Sequence, residues 1–411
     1  MSRRAVEGVK TALIVLLVIT ALILAYFSNL FLAPERPAPR AERQESGLRS
    51  GPGDAARPMC IAVTLPDGSR LAEQYDGAAL GAAFEKTVNL LSEALGSAGA
   101  PAETDEARWR EALASPGLYY EYFAPVPMAV LCSWLGTEAG STAFADVSAL
   151  CLTGGRLCFR DGAGTCYACD TAVPEGATAS LSDLCTHPAV FAFEDPVLEG
   201  FGCGSQLIFA GEELHSPVTA ETPLTGQEAR YALLEALDAA MFEKSGYMEG
   251  DGTYVYVATD FTLRMGPDGT VIYRRSGELD RRPASLTDDI CRAELMCARL
   301  LSPFAGDADV CYTGVETEDG ATRVFFDYNI AGGLISLSGG SAAEIRLEGG
   351  TITEMRLRLL RFALTGEGET LLPERQAAAA AAGPFRLVYV PAGGLYAPRW
   401  MQRPSIGGTE G

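Results

Sequence analysis

Histidine is nearly absent from this chain, with two among 411 residues, His187 and His215. Histidine is the usual general base near neutral pH and a frequent metal ligand. The chain therefore has few histidines from which to form a histidine-based catalytic centre or a histidine-rich metal site. We expect each of the two to be an ordinary surface or loop residue.

Several motifs of catalysis and phosphate binding are also missing. The sequence has no G-x-S-x-G nucleophile elbow, no G-x-x-x-x-G-K-[ST] phosphate loop and no calcium-loop spacing. The S-x-x-K motif of penicillin-binding enzymes fails, because Ala83 and Met241 stand three residues before Lys86 and Lys244. We therefore expect a protein that is not an enzyme, with no catalytic residues, no metal and no cofactor.

Positive charge is in short supply. The chain has 53 acidic and 32 basic residues, which gives a formal net charge of −21. Such a surface repels phosphate backbones, so nucleic acid is not expected as a partner. Hydrophobic residues make up 48% and charged residues 21%, as in ordinary globular proteins, so the body of the chain should fold.

Cysteine is present in an odd number, 11, which does not define a disulfide framework in a chain of this length. The sharpest candidate for chemistry is Cys166-x-x-Cys169, because paired thiolates at this spacing bind zinc or exchange disulfides. Three interpretations stay open: a zinc site, a structural disulfide and free thiols. Further zinc ligands would come from Cys151, Cys158, Cys185 or Cys203.

One long hydrophobic run lies near the N-terminus. Residues 11–33 carry no charged side chain and, at about 1.5 Å rise per residue, are long enough to cross a hydrocarbon core of about 30 Å. Tyr26 and Phe27 lie near its end, where aromatic rings favour the membrane interface. We predict a retained transmembrane helix. A cleaved signal peptide is the alternative, but the run is longer than a typical signal core and no A-x-A site follows it.

The predicted helix makes the chain a single-pass membrane protein. Residues 1–10 would form a short cytoplasmic tail and residues 34–57 a flexible linker. Basic residues flank the span on both sides, so the charge rule does not decide the orientation, but the short tail favours a body outside the cytoplasm. Ala21, Ala25 and Ser28 share one helical face and are the candidate helix-packing face, although alanine is common in any membrane helix.

Beyond the linker, helical patterns alternate with strand patterns, which predicts an α+β fold of helices and antiparallel meanders. We divide this body into an N-terminal extracytoplasmic domain, a middle unit, a C-terminal unit and a tail, at 58–215, 216–284, 285–402 and 403–411.

The first domain should begin with an amphipathic helix, followed by a short helix carrying Trp109 and Leu113. The stripe of the first helix consists of Leu80, Phe84, Val88, Leu91 and Leu95. Strands are predicted at 128–134, 147–152 and 157–167. In the middle unit, Thr225 and Glu228 predict a capping box, and strands at 254–258 and 261–265 lead into a turn at Pro267-Asp268-Gly269.

In the C-terminal unit, Ser285 and Asp288 should cap a helix that buries Ile290, Ala293, Cys297 and Leu300. Cys291 points well away from Cys297, so these two should not pair. A meander follows at 325–330, 334–337, 344–347 and 353–364, with a hairpin turn at Gly349-Gly350 and a β-bulge near Leu360. Pro373 should begin a short helix, before strands at 385–390 and 395–400.

Short motifs in the last third carry a family resemblance. They are Phe326-Asp327-Tyr328, Leu371-Leu372-Pro373-Glu374-Arg375-Gln376-Ala377, Leu387-Val388-Tyr389 and Pro398-Arg399-Trp400. With Lys10 before the membrane span, and the stretch Leu118-Tyr119-Tyr120-Glu121-Tyr122-Phe123 followed by an apolar strand, the chain resembles the YycH/YycI family of membrane-anchored regulators. The cysteine-rich region from Cys132 to Cys203 departs from that pattern, and one chain combines features of both sister proteins.

The resemblance implies regulation and not catalysis. Proteins of this family place a sensor-like α+β body outside the membrane and use the membrane helix to modulate a sensor histidine kinase that controls cell-wall metabolism. The expected partners are that kinase and a sister anchored regulator. The alternative function is an extracytoplasmic module that binds a peptide or cell-wall fragment without kinase control, and a less favoured one is a thiol oxidoreductase using Cys166 and Cys169.

Overall fold

A computed structural model describes residues 54–178, 181–198, 203–211, 214–237, 246–277, 284–366 and 368–403. The predicted membrane span 11–33, with Ala21, Ala25 and Ser28, lies outside these residues, and so does most of the linker 34–57. Within the described ranges, no helix is both long and apolar enough to cross a membrane. The anchor, its orientation and its packing face therefore stay predictions.

The described residues contain six α-helices and several single-turn 3-10 helices. The α-helices are α1 (Gly77–Gly96), α2 (Glu106–Ala114), α3 (Met128–Trp134), α4 (Gln227–Ala236), α5 (Leu286–Leu300) and α6 (Glu374–Ala380). The 3-10 helices are Asp54–Ala56, Gly140–Thr142, Ala192–Glu194, Pro223–Thr225 and Ser302–Phe304.

The first half of the described chain forms a nine-stranded sheet, which we call the small sheet, with the spatial order β3-β7-β6-β5-β4-β1-β2-β8-β9. Its strands are β1 (Cys60–Thr64), β2 (Arg70–Glu73), β3 (Ala102–Thr104), β4 (Gly117–Pro127), β5 (Asp146–Thr153), β6 (Arg156–Arg160), β7 (Cys166–Asp170), β8 (His187–Phe191) and β9 (Leu207–Phe209).

The second half forms a sheet of thirteen described strands, which we call the large sheet. A separate ladder pairs β10 (Leu214–His215) with β22 (Glu369–Thr370). The strands of the large sheet are β11 (Val218–Glu221), β12 (Tyr247–Met248), β13 (Tyr254–Val257), β14 (Phe261–Met265), β15 (Thr270–Arg275), β16 (Asp309–Glu318), β17 (Ala321–Ile330), β18 (Gly333–Ile335), β19 (Ala343–Glu348), β20 (Thr351–Arg358), β21 (Arg361–Leu364), β23 (Phe385–Ala392) and β24 (Leu395–Gln402).

The architecture is therefore a mixed α/β fold built mainly on antiparallel sheets. Among the described strands, β18 and β23 run parallel, and the other paired strands of both sheets run antiparallel. The large sheet takes strands from both the middle region and the C-terminal region, because β15 pairs with β20. The boundaries of the predicted units stay predictions.

Helices α1, α2 and α5 agree with the sequence patterns. Asp76 caps α1 by accepting hydrogen bonds from two backbone amides, and the helix buries Leu80, Phe84, Leu91 and Leu95. Trp109 and Leu113 are buried on α2. The predicted capping box of Ser285 and Asp288 is confirmed at the start of α5. The buried face of α5 includes Ile290, Ala293, Cys297 and Leu300, as predicted.

Other local predictions are wrong. Residues 128–134 form helix α3 and not a strand, because a short apolar run does not distinguish a buried helix from a strand. Residues 157–167 belong to two strands, β6 and β7, separated by a turn in which Asp161 N donates to Thr165 O. The N-cap of helix α4 is Gly226 and not Thr225, so the predicted capping box is wrong.

The segment 353–364 also differs from its prediction. It does not form one bulged strand, because β20 ends at Arg358 and β21 begins at Arg361. The two strands have different partners, β21 pairing with β11 so that Phe362 lies opposite Ala220. The hairpin turn at Gly349-Gly350 is confirmed, since both glycines have the positive φ values, 54° and 73°, that a two-residue hairpin loop favours.

Several polar contacts join the two sheets. Arg403 Nη1 lies 2.5 Å from Glu121 Oε1, and Arg375 Nε donates to Asp195 Oδ2 at 2.5 Å. The Gln206 side chain bonds the backbone N–H and C=O of Phe385. The two halves of the described chain therefore meet at a polar junction, and residues of both halves line the candidate site.

Candidate functional site

A cleft of about 380 Å³ opens at this junction, and we call it the histidine cleft. On the side of the small sheet it is lined by Tyr75, Asp76, His187, Pro188, Phe209 and Gly211. On the other side it is lined by His215, Ser216, Ala331 and Leu364. Both histidines of the chain therefore line one concave surface.

His187 begins strand β8 and is held by a buried carboxylate. The register pairs His187 with Ala72, which places it beside Glu73 at the end of β2. His187 Nδ1 lies 2.9 Å from Glu73 Oε2, while Glu73 Oε1 accepts hydrogen bonds from Thr186 N and Thr186 Oγ1 at 2.7 and 2.8 Å. A carboxyl oxygen that already lies among donors acts as an acceptor, so we assign Nδ1–H as the donor in this pair. The His187 side chain is about half exposed, and among the described residues no hydrogen bond involves its second ring nitrogen, Nε2.

His215 lies on the opposite wall, in β10, and its side chain is 3% exposed. Its ring packs edge-to-face against Tyr75 at 5.0 Å and against Trp400 at 6.0 Å between centroids. Burial lowers the pKa of His215 to about 4, so the imidazole is neutral at neutral pH. In the described part of the chain, no hydrogen bond reaches its ring nitrogens. The expectation of an ordinary surface or loop residue is wrong for His215.

Aromatic rings form the floor of the cleft. Tyr75 packs on Phe209 at 5.1 Å and on Trp400 at 6.4 Å between centroids. A smaller pocket adjoins here, lined in part by Leu372, Glu374 and Trp400. Trp400 Nε1 donates to Leu372 O at 2.8 Å. Two of the C-terminal motifs that carry the family resemblance therefore meet at this site.

The carboxylates around the cleft are already compensated by donors. Asp76 Oδ1 accepts from Ala78 N and Ala79 N at the start of α1. Glu374 Oε2 accepts from Phe209 N at 3.0 Å. Among the described residues, no lysine or arginine lines the cleft or the adjoining pocket. In the described lining, the site therefore offers polar groups and aromatic surface, and its carboxylates already accept hydrogen bonds.

Cys166 and Cys169 do not form a site. They lie three residues apart on β7, and successive side chains of a strand point to opposite faces. Cys166 packs in the core beside α2, and Cys169 packs in the larger core on the other face of the small sheet. A mutual disulfide or a shared zinc site is therefore excluded by geometry. Burial raises the pKa of Cys169 to about 11 and also raises the pKa of Cys166.

All eleven cysteines lie in described residues, and none of them forms a disulfide. Cys297 packs in the core, while Cys291 contacts Ser133 Oγ from the neighbouring helix α3. Within the described residues, no three histidine, cysteine or acidic side chains are arranged to hold a metal ion. The cysteine pattern therefore does not define the functional site.

The sequence did not reveal the histidine cleft. His187 and His215 stand on strands of different ladders, and only the tertiary arrangement brings them to one surface. The buried position of Glu73 depends in the same way on the pairing of β2 with β8. The one signal available in the sequence is the rarity of histidine, which by itself argues against a histidine-based site.

In comparison with known proteins, the chain matches no protein-family model, no curated protein and no solved structure. The resemblance to the YycH/YycI family therefore stays a prediction.

Proposed function

We propose that the body of this protein is a binding module, that the histidine cleft is its ligand site, and that the ligand is a peptide or a cell-wall fragment. The convergence of both histidines and a cluster of aromatic rings on one concave surface carries this proposal. The volume of about 380 Å³ falls within the usual range of small-molecule pockets, about 300 to 1,000 Å³.

The arrangement of polar groups supports binding more than catalysis. Glu73 orients His187 as it would orient a general base, and Ser216 lines the same cleft. However, no hydrogen bond joins Ser216 to His187 within the described residues, so a nucleophile and base are not assembled. His215 is neutral and buried, which suits a group that reads a ligand by hydrogen bonding.

The position of the cleft also supports a role in signalling. Its walls come from the small sheet and from segments that accompany the large sheet, so a bound ligand would contact both. Ligands that bind across a junction stabilise the arrangement they contact. In a membrane-anchored protein, such stabilisation of the body would couple ligand binding outside the cytoplasm to the anchor.

A substitution that fills the cleft tests the proposal. Gly211 lines the cleft, and a Cβ atom built there meets nothing within 4 Å, so Gly211→Phe should occupy the cleft without displacing the backbone. Gly176 is an exposed glycine outside the cleft with equally open surroundings, which makes Gly176→Phe the matched control. The probe is a mixture of soluble muropeptides from digested peptidoglycan, titrated into the full-length protein in detergent by calorimetry.

We expect the wild-type protein and Gly176→Phe to bind the mixture and Gly211→Phe to lose binding. Equal binding by all three proteins, or no binding by the wild type, would contradict the proposal.

For the whole chain, modulation of a sensor histidine kinase stays a proposal that rests on the predicted anchor and the family resemblance. The surface that would contact the kinase, Ala21, Ala25 and Ser28, lies outside the described residues. In this proposal, the binding module detects the ligand and the membrane helix passes the signal to the kinase.

A further inference from the structure

We propose that the ligand class of the histidine cleft is an uncharged saccharide. This inference rests on the proposed function of the cleft as a binding site, and it chooses between the glycan and the peptide of a wall fragment.

The hydrogen-bonding groups of the cleft suit hydroxyl groups. A neutral imidazole has one N–H donor and one acceptor nitrogen, and both nitrogens of His215 lack a partner within the described residues. His215 lines the cleft, so a ligand hydroxyl can bond these nitrogens in place of water. Ser216 also donates and accepts, and His187 offers Nε2. Hydroxyl groups of a sugar can pair with each of these groups, because a hydroxyl both donates and accepts.

The charges of the cleft disfavour an ionic ligand of either sign. An anion would find no lysine or arginine to pair with among the described lining residues. A cation would approach Asp76 at the N-terminus of α1, where the helix dipole is positive and already compensates the carboxylate. Glu73 is likewise engaged by Thr186 and His187. An uncharged polar ligand needs no counter-charge of either sign in the cleft.

The aromatic side chains of the cleft also suit the face of a sugar ring. A pyranose ring presents C–H groups on its face and hydroxyl groups at its edge, so its face packs on aromatic side chains while its edge forms hydrogen bonds. Tyr75 and Phe209 supply such rings next to His215, and Trp400 lies in the adjoining pocket. The small volume of the cleft fits one or two sugar units and not a folded partner.

The experiment compares four probes on the full-length protein in detergent by calorimetry. Chitobiose is the uncharged saccharide, tri-alanine the peptide, spermidine the cation and glucuronate the anion. We expect chitobiose to bind and to be blocked by Gly211→Phe but not by Gly176→Phe. His215→Phe keeps an aromatic ring but removes both ring nitrogens, and we expect it to weaken chitobiose binding at least about tenfold.

A matched pair of carboxylate variants tests the charge argument. Asp76 and Asp105 are both exposed N-caps, of α1 and α2, and asparagine caps a helix about as well as aspartate. Asp76→Asn should therefore change chitobiose affinity by less than about threefold, and Asp105→Asn should leave it unchanged. A large loss in Asp76→Asn, with spermidine as the tighter probe, would overturn the uncharged class in favour of a cation.

The outcomes separate the two proposals. If tri-alanine, spermidine or glucuronate binds, is blocked by Gly211→Phe, and chitobiose does not bind, the uncharged saccharide class is wrong while the binding site stands. If Gly211→Phe blocks no probe, both proposals are wrong. If His215→Phe does not fold, as judged by circular dichroism, Ser216→Ala takes its place, and unchanged chitobiose affinity in that variant would overturn the inference.

Discussion

His215 links the chemistry of the cleft to the stability of the fold. Its pKa is about 4 in the folded protein because the ring is buried, against about 6.5 in an unfolded chain. Between these values the unfolded chain binds a proton that the folded protein does not. The free energy of unfolding should therefore fall as the pH drops from about 6.5 to 4, by about 3 kcal/mol, and the full contribution should be present above pH 6.5.

Urea unfolding of the wild type and of His215→Phe across this pH range measures the effect. Asp76, His187 and Glu374 line the same cleft or its adjoining pocket and are present in both proteins, so the difference between the two curves isolates His215. The variant should show the shallower dependence on pH. Parallel curves would show that His215 is not held neutral by burial.

The two thiols of the C-x-x-C motif should be slow to react. Burial raises the pKa of Cys169 to about 11 and raises the pKa of Cys166, so little thiolate is present at pH 7. We expect alkylation by iodoacetamide to be slow for both in the native protein and fast after unfolding in urea. Peptide-level mass spectrometry measures the rates, and rapid native labelling of Cys166 would restore the thiol oxidoreductase as a candidate.

At the scale of single elements, the cap of α5 gives a quantitative test. The Ser285 side chain accepts from Asp288 N, and the Asp288 carboxylate accepts from Ser285 N. Ser285→Ala should lower the free energy of unfolding by about 1 kcal/mol because it leaves a helix amide unsatisfied. Ser276→Ala, at an exposed serine outside any helix, is the control and should change stability by less than about 0.5 kcal/mol. Equal stability of the two variants would show that the cap contributes nothing.

The contrast between α5 and α3 shows what the sequence allowed us to predict. Helix α5 combines a capping box with apolar residues at helical spacing. Its start and its buried face could therefore both be predicted from the sequence. Helix α3 is a single short apolar run, which carries no period long enough to choose between helix and strand. The break between β20 and β21 could not be predicted from the sequence either, because it depends on the pairing of β21 with the distant strand β11.

The same limit applied to the site. Each part of it was visible in the sequence as an isolated residue, but His187 and Glu73 come together through the β2–β8 pairing. His215 reaches the same cleft on β10, which pairs with the distant strand β22. Local patterns predict elements, and they do not predict which distant elements form a common surface.

At the scale of the whole molecule, the predicted membrane helix is the part that would connect ligand binding to the kinase. If its small-residue face packs on a kinase helix, scrambling residues 11–33 at constant composition should reduce association with the kinase in a membrane two-hybrid assay. A second anchor in which Ala21, Ala25 and Ser28 keep their positions and the other residues are scrambled should retain association. Undiminished association with the full scramble would contradict a helix-mediated contact.

The two histidines themselves provide the most direct measurement of the central claim. Because the chain contains only His187 and His215, full-length protein without a histidine tag and labelled with ¹⁵N at histidine alone gives signals from both walls of the cleft and from nowhere else. We predict that chitobiose shifts the ring signals of both histidines in the wild type and in Gly176→Phe, and shifts neither in Gly211→Phe. Signals that stay unchanged in the wild type under saturating chitobiose, or that shift equally in Gly211→Phe, would contradict the account.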